Sequence, residues 1–371
     1  MKRVETETVQ YPKTLIVCIH SPYNLTKNIA SYEEEFINLV KSNGVHVDEK
    51  LFIKLRSIDP AYFITRGKLE ELIDICNKKE IEEVIFSEPL LPQQERNLSE
   101  ALRCRVFDRT QLILEIFERG AQTAEGKIQV ELAMLAHRKS RLAGRGIHLS
   151  QQGGRIGTRG PGETAKEKEM QHIDRQRDQL KRELKGLAQT RETQRKKRLG
   201  SGVPQICLIG YTNAGKSTIL NALTHSNVLA EDKLFATLDT TTRELYIDNT
   251  KKGVISDTVG FIQQLPHHLV EAFKSTLTEL QYAHLLLQVV DLSDPNWESH
   301  TFIVKEILKE LEVDDKPMLY VFNKIDRIAN LEPLQFALQR YQPRVLVSAN
   351  SKEGLAPLIN YLRTWQPEAK I

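Results

Sequence analysis

The sequence has little that would direct it out of a reducing, aqueous compartment. Its four cysteines, Cys18, Cys76, Cys104 and Cys207, include no CxxC pair. Cys18 and Cys207 sit inside apolar, strand-like runs, so buried inert thiols are expected and structural zinc is not. The opening MKRVETETVQ lacks the apolar core of a signal peptide. No apolar run approaches the length of a bilayer, HLLLQVV being among the longest, so no membrane insertion and a cytoplasmic location are expected. There is no internal repeat of useful length.

What is present is an ordinary soluble composition, 40% hydrophobic and 27% charged, over 371 residues. That length suggests two or three domains. The net charge of +3 conceals a polarised distribution. Between Arg138 and Arg198 stand 18 Lys and Arg against 7 Asp and Glu, a local excess of 11 that leaves the remainder at −8. A basic segment of this kind suits a polyanion such as nucleic acid, although a solvated helix face has the same composition.

Three regions differ in periodicity. From residue 14 to 118, the runs TLIVCIH, EEVIF and CRVFD read as buried strands. SYEEEFINLVKS, GKLEELIDICNKK, PQQERNLSEALR and TQLILEIFER read as helices between them. The alternation predicts an α/β domain with a mostly parallel sheet, assigned to residues 1–125. Next, Ile128, Leu132, Leu135 and Leu142, with Lys139 in one slot, follow heptad spacing. Met170, Ile173, Leu180, Leu184 and Leu187 do the same, with Arg177 interrupting. The glycine-dense stretch between them is hostile to helix, which predicts a basic antiparallel helical hairpin over 126–200 with a tip loop at 143–162. Gly200, Gly202 and Pro204 mark a boundary, and a second α/β domain is expected over 201–371.

The chemistry lies in that last region. QICLIG runs into GYTNAGKST, which matches G-x-x-x-x-G-K-[ST] between a strand and a helix. Gly210, Tyr211, Thr212, Asn213, Ala214, Gly215, Lys216, Ser217 and Thr218 are therefore expected to wrap phosphate oxygens with backbone N–H groups. Lys216 should reach the β- and γ-phosphates, and the Ser217 hydroxyl should bind Mg²⁺. The base is chosen by NKID, residues Asn323, Lys324, Ile325 and Asp326. A carboxylate at Asp326 accepts from N1–H and the N2 amine of guanine, and adenine lacks that donor pair. Asn323 can bond the N7/O6 edge, and Lys324 can pack along the base. In the DTVG run, Asp257 can hold Mg²⁺ through water; Thr258 and Val259 follow, and the N–H of Gly260 can sense the γ-phosphate. Ser348, Ala349 and Asn350 offer N–H contacts to guanine O6. Four such elements at the ends of apolar runs fit the ligand-binding edge of an α/β sheet.

These motifs, with LFATLD between them, resemble the translation-factor-related GTPases that contain Obg and HflX. IFERGAQTAEGKIQVELAML followed by LSQQGGRIGTRGPGE is similar to the HflX family, and the likeness covers the chain from about Leu15 to Trp365. The resemblance implies a Ras-like G domain and a Mg²⁺-dependent GTPase acting as a monomer. It adds Phe235, Ala236, Thr237, Leu238 and Asp239 to the nucleotide site. Thr237 becomes the switch threonine on Mg²⁺ and the γ-phosphate, where the residues alone leave Thr240, Thr241 and Thr242 open. Lys216, Thr237 and Gly260 would then carry catalysis. An Asn at position 213 implies K⁺ near the β–γ bridge. The resemblance also implies the large ribosomal subunit and its rRNA as partner, with Arg145, Arg155 and Arg159 of the tip loop as contacts, and a role in splitting ribosomes. A ribosome-assembly GTPase, or an RNA-binding module with nucleotide as a structural ligand, would share most of these residues.

Two departures from pattern matter. Many family members carry a further C-terminal domain, whereas this sequence ends soon after GLAPLINYLRTW. In Ras-type enzymes a Gln follows the switch glycine and orients water; here it is Phe261, which predicts slow intrinsic hydrolysis. Nearby Gln263, Gln264, His267 and His268 are expected to face solvent.

Overall fold

Contiguous apolar runs become the central strands of two parallel sheets. The computed structural model describes residues 12–22, 24, 28–144, 161–200, 202–224, 234–235, 241–263 and 279–367. It resolves into two compact units, one drawn from residues 1–116 and 134–175 and the other from 117–133 and 176–371.

In the first unit β1 (Thr14–His20) is the buried central strand. It pairs in parallel with β2 (Glu49–Lys54) and β3 (Glu83–Phe86), and β3 with β4 (Arg105–Asp108), in the order β2-β1-β3-β4. Parallel pairing requires crossover segments, and α1 (Ile29–Ser42), α2 (Arg66–Lys79) and α3 (Pro92–Leu102) supply them. Asn28 caps α1 by accepting the Ser31 N–H, and α3 starts on Pro92, where a missing N–H costs nothing. Leu15, Val17 and Ile19 share one core with Leu72, Phe86, Leu98 and Leu102. The four cysteines are free thiols, and burial pushes Cys18 up to about 12.

α4 (Arg109–Gly120) leads into α5 (Ala124–Gly144), and α6 runs over Pro161–Gly200. The Lys139–Asp174 ion pair sets α5 and α6 side by side. Met170, Ile173, Arg177, Leu180, Leu184 and Leu187 all fall on the less exposed face of α6, while Arg175, Lys181, Arg182 and Lys185 are exposed. The residues joining the two helices, with Arg145, Arg155 and Arg159, lie outside the described residues. No helix among the described residues is long and apolar enough to cross a membrane.

In the second unit a six-stranded sheet has the order β10-β9-β8-β5-β7-β6. The strands are β5 (Gln205–Gly210), β6 (Thr241–Ile247), β7 (Thr250–Asp257), β8 (Leu285–Asp291), β9 (Met318–Asn323) and β10 (Arg344–Leu346). All neighbours are parallel except β6, which returns antiparallel on β7. Ile206, Leu208, Leu287, Val289 and Val321 pack on Ile219 and Leu220 of α7 (Lys216–Thr224) and on Leu358 and Leu362 of the C-terminal helix Ala356–Thr364. This scaffold brings the C-terminal ends of β5, β7, β9 and β10 to one edge, and each expected nucleotide motif follows one of them.

Candidate functional site

QICLIG is wholly buried, so the chain leaves the sheet only at Gly210, whose backbone must turn sharply. Its φ is +151°, and a Cβ there would lie 2.2 Å from the Val289 carbonyl oxygen. Gly215, at φ +95°, would bring a Cβ within 2.3 Å of the Asn323 amide nitrogen. Asn213 takes the left-handed conformation at φ +61°, which its short polar side chain tolerates. The loop then opens directly into α7, a nine-residue helix whose first-turn N–H groups face the loop.

Lys216 is the first residue of α7 and is 6% exposed. Its ammonium donates to the carbonyls of Gly210 at 3.2 Å and Tyr211 at 2.9 Å, which holds it across the loop. Burial lowers its pKa to about 8 against the opposing pull of Asp257; a phosphate dianion alongside would restore the charge. The Ser217 hydroxyl donates to the Asp257 carboxylate at 2.6 Å, and Asp257 is fully buried at the end of β7. A hydroxyl and a carboxylate converging in this way are the hard oxygen donors that Mg²⁺ takes. Thr218 continues α7, half-buried.

The segment after β7 lies on the phosphate loop. Thr258 is buried and its hydroxyl donates to the Leu208 carbonyl at 2.7 Å; Val259 is buried too. Phe261 N–H donates to the Gly210 carbonyl at 3.2 Å, and Thr212 N–H to the Phe261 carbonyl at 2.8 Å. Between these bonds a Cβ on Gly260 would sit 2.8 Å from Thr212 Cγ2 and 2.9 Å from Lys216 Nζ. Gly260→Ala must therefore push the segment off the loop. The expected result is a fall in kcat of about 10²-fold with GDP binding retained, because a small misplacement at the reacting centre costs that much. Single-turnover hydrolysis checks it, and a rate within about threefold of wild type would remove Gly260 from the hydrolysis geometry.

The two loops expected to read the base are cross-linked. Asn323, 2% exposed, donates to the Ala214 carbonyl at 2.9 Å and accepts the Ala349 N–H at 3.0 Å. Its amide thus joins the phosphate loop to the Ser348–Asn350 loop, a positioning role that the motif alone did not reveal. Lys324 stands at φ +61° with its ammonium 2.7 Å from Asp291. Ile325 and Asp326 form a 3-10 turn. The Asp326 carboxylate accepts from the Ser348 hydroxyl at 2.6 Å and the Asn350 amide at 2.9 Å. These bonds, Ser348 first, hold Asp326 below the usual carboxylate range, so it is an acceptor only.

Of the LFATLD residues the structure describes Phe235, at φ +60° and 5% exposed, its ring edge-on to Phe117 with centroids 4.6 Å apart. Ala236, Thr237, Leu238 and Asp239, together with Thr240, lie outside the described residues, as do Gln264, His267 and His268. Thr241 and Thr242 open β6, where the Thr242 and Ser256 hydroxyls are 2.8 Å apart. Gln263 corrects an expectation: it is 5% exposed and does not face solvent, and its N–H donates to the Tyr211 hydroxyl at 2.9 Å. Phe261 is likewise buried, 2% exposed.

Comparison with known proteins agrees with this geometry. Residues 30–118 match the family described as GTP-binding GTPase N-terminal, 120–198 the GTP-binding GTPase middle region, and 205–324 the family described as 50S ribosome-binding GTPase. GTPase HflX of Lacrimispora saccharolytica is 45% identical over 331 residues, covering 89% of this chain and 78% of that protein. The chain belongs to the HflX family of GTPases. GTPase HflX of Escherichia coli is 40% identical over 347 residues, with 93% and 81% covered. A solved complex of SsGBP with GDP aligns with a TM-score of 0.51 at 26% identity, covering 95% of this chain and 97% of that one. This HflX-family chain is accordingly a GTP-hydrolysing enzyme with a P-loop fold, a class that generally uses Mg²⁺.

Proposed function

We propose that the chain uses GTP as a timer for binding the large ribosomal subunit and promoting dissociation of ribosomes. The observation that carries the reading is the excess of 11 positive charges between Arg138 and Arg198, with Arg175, Lys181, Arg182 and Lys185 exposed along α6. Such a charge density neutralises backbone phosphates and makes binding strongly salt-dependent. Its relatives' family description, a 50S ribosome-binding GTPase, supports the same partner. In this reading residues 1–125, 126–200 and 201–371 divide the work into scaffold, rRNA contact and hydrolysis, and the chain acts as a cytoplasmic monomer.

Asp326 recognises the guanine N1–H and N2 amine, while Asn323 holds the two loops that flank the base. Lys216 and the loop N–H groups hold the β- and γ-phosphates. Mg²⁺, which neutralises charge on the phosphates, would be held by Ser217, Asp257 through water, and Thr237. Gly260 N–H reads the γ-phosphate. Nothing at position 261 can orient water, so hydrolysis waits for a partner. A K⁺ ion at Asn213 belongs to the same reading and falls if rates in Na⁺ and K⁺ are equal.

The test is steady-state GTP hydrolysis in K⁺ buffer with and without purified large subunits. Stimulation of at least about tenfold is expected, and it is lost in the Arg155→Ala/Arg159→Ala double variant. No stimulation, with nucleotide binding intact, would overturn the ribosomal assignment while leaving the GTPase. Stimulation by immature large subunits alone would favour assembly over splitting.

A further inference from the structure

On the proposed function, hydrolysis depends on the segment from Gly260 to Gln263 being held against the phosphate loop, since the buried Phe261 side chain cannot orient water. One residue of the loop adds side-chain contacts to the backbone bonds that Gly210 and Thr212 make with this segment. Tyr211 is 8% exposed, and its hydroxyl accepts the Gln263 N–H at 2.9 Å. Its backbone forms a parallel bridge with Phe261, and its carbonyl accepts the Lys216 ammonium at 2.9 Å. Its ring lies flat on the His300 imidazole, with centroids 3.8 Å apart and planes inclined by 8°.

His300 belongs to the helix Trp297–Glu310. It is 9% exposed, with Nδ1 3.5 Å from Asp294 and Nε2 without a hydrogen-bond partner among the described residues. Burial lowers its pKa against the pull of Asp294 and Asp291, so a neutral ring is stacked on the tyrosine. A flat aromatic platform fixes the plane of the Tyr211 ring, and the ring fixes where its hydroxyl can sit.

We propose that Tyr211 is a positioning residue for GTP hydrolysis: its hydroxyl pins the segment after Gly260 to the phosphate loop, and His300 is the platform that aims it. The proposal rests on Gly260 acting in hydrolysis. A tyrosine used only for packing would keep its value when the oxygen is removed, since the ring would stay on His300. A positioning tyrosine loses its function with that one atom.

The test is Tyr211→Phe in the full chain. The kcat for GTP is expected to fall about 10-fold, while KM for GTP and affinity for GDP change by less than about twofold. Hydrogen exchange at the Gln263 amide should accelerate at least about 10-fold, with exchange in α7 unchanged. His300→Ala, which leaves the hydroxyl but removes its platform, should lower kcat in the same sense. An unchanged kcat in Tyr211→Phe overturns the proposal. So does a loss of kcat that comes with weaker GDP binding and faster exchange throughout α7, which is the signature of a packing residue. If Gly260→Ala hydrolyses GTP normally, the reading of Gly260 fails and the proposal falls with it; a slow Gly260→Ala beside a normal Tyr211→Phe overturns the proposal alone.

Discussion

Asp326→Asn should weaken GTP and GDP binding by about 10²–10³-fold and raise affinity for xanthosine nucleotides by a comparable factor. The carboxylate is already organised as an acceptor by the Ser348 hydroxyl at 2.6 Å and the Asn350 amide at 2.9 Å. Both bonds favour the ionised form, which is why Asp326 lies below the usual carboxylate range. Guanine then adds two donors, N1–H and the N2 amine, to oxygens that have lone pairs to spare. An amide keeps one acceptor and turns the other oxygen into a donor. One charge-assisted bond is lost, the second loses its charge, and a donor faces a donor; each such bond is worth about 1.5–3 kcal/mol. Every 1.4 kcal/mol is about tenfold in affinity. Xanthine carries a carbonyl where guanine carries the amine, so the same amide suits it. Equilibrium titration with fluorescent GDP and XDP decides the matter. GDP affinity within about tenfold of wild type, with no gain for XDP, would mean that another group reads the base.

The phosphate and base motifs were legible in the sequence because their chemistry is local. A turn of nine residues must contain the glycines, the lysine and the hydroxyl, and the strands feeding them are unbroken apolar runs. Residues that act across long separations left no such trace. Asn323 looked like a base contact, yet its amide spans 109 residues to the Ala214 carbonyl. The Tyr211–His300 stack joins two segments 89 positions apart, and neither residue stands in a pattern that marks the other. Gln263 was expected in solvent because polar residues in a switch loop are usually wet; it is buried, with its N–H on the hydroxyl of a residue 52 positions away. Among the strands, β2 escaped notice for a related reason. EKLFIK is an edge strand on β1 in which only Ile53 is fully buried, and its apolar run is just the three residues LFI between charged ends. β6 is likewise an edge strand, with exposed residues in its middle.

Arg141→Ala should cost about 3–5 kcal/mol, because the side chain is largely buried against a buried carboxylate. Arg141 reaches from that helix to the C-terminal end of β4, where Asp108 is 1% exposed. The Asp108 carboxylate accepts the Leu90 N–H at 3.0 Å, the Gln111 N–H at 2.8 Å and the Arg141 guanidinium at 2.7 Å. The same guanidinium donates to the Leu90 carbonyl at 3.0 Å and pairs with Glu95. Removing it leaves a buried carboxylate without its cation and strips a donor from the Leu90 carbonyl, and the alanine fills none of the space. Lysine should not rescue the loss, because a point charge cannot serve Asp108, Glu95 and a carbonyl together as a planar fork does. Asp108→Asn should cost less, since an amide oxygen still accepts from a backbone N–H and no unpaired charge remains. Urea denaturation of the three variants gives the order, and the Arg141→Ala/Asp108→Ala double variant gives the coupling between the two side chains. A loss below about 1 kcal/mol in Arg141→Ala would place the pair among ordinary surface bridges. The consequence for function follows from where the bond lies. On the proposed rRNA-binding role, this variant should bind large subunits more weakly, because α5 loses its tie to the end of β4, while its nucleotide affinity, set in the other unit, is unchanged.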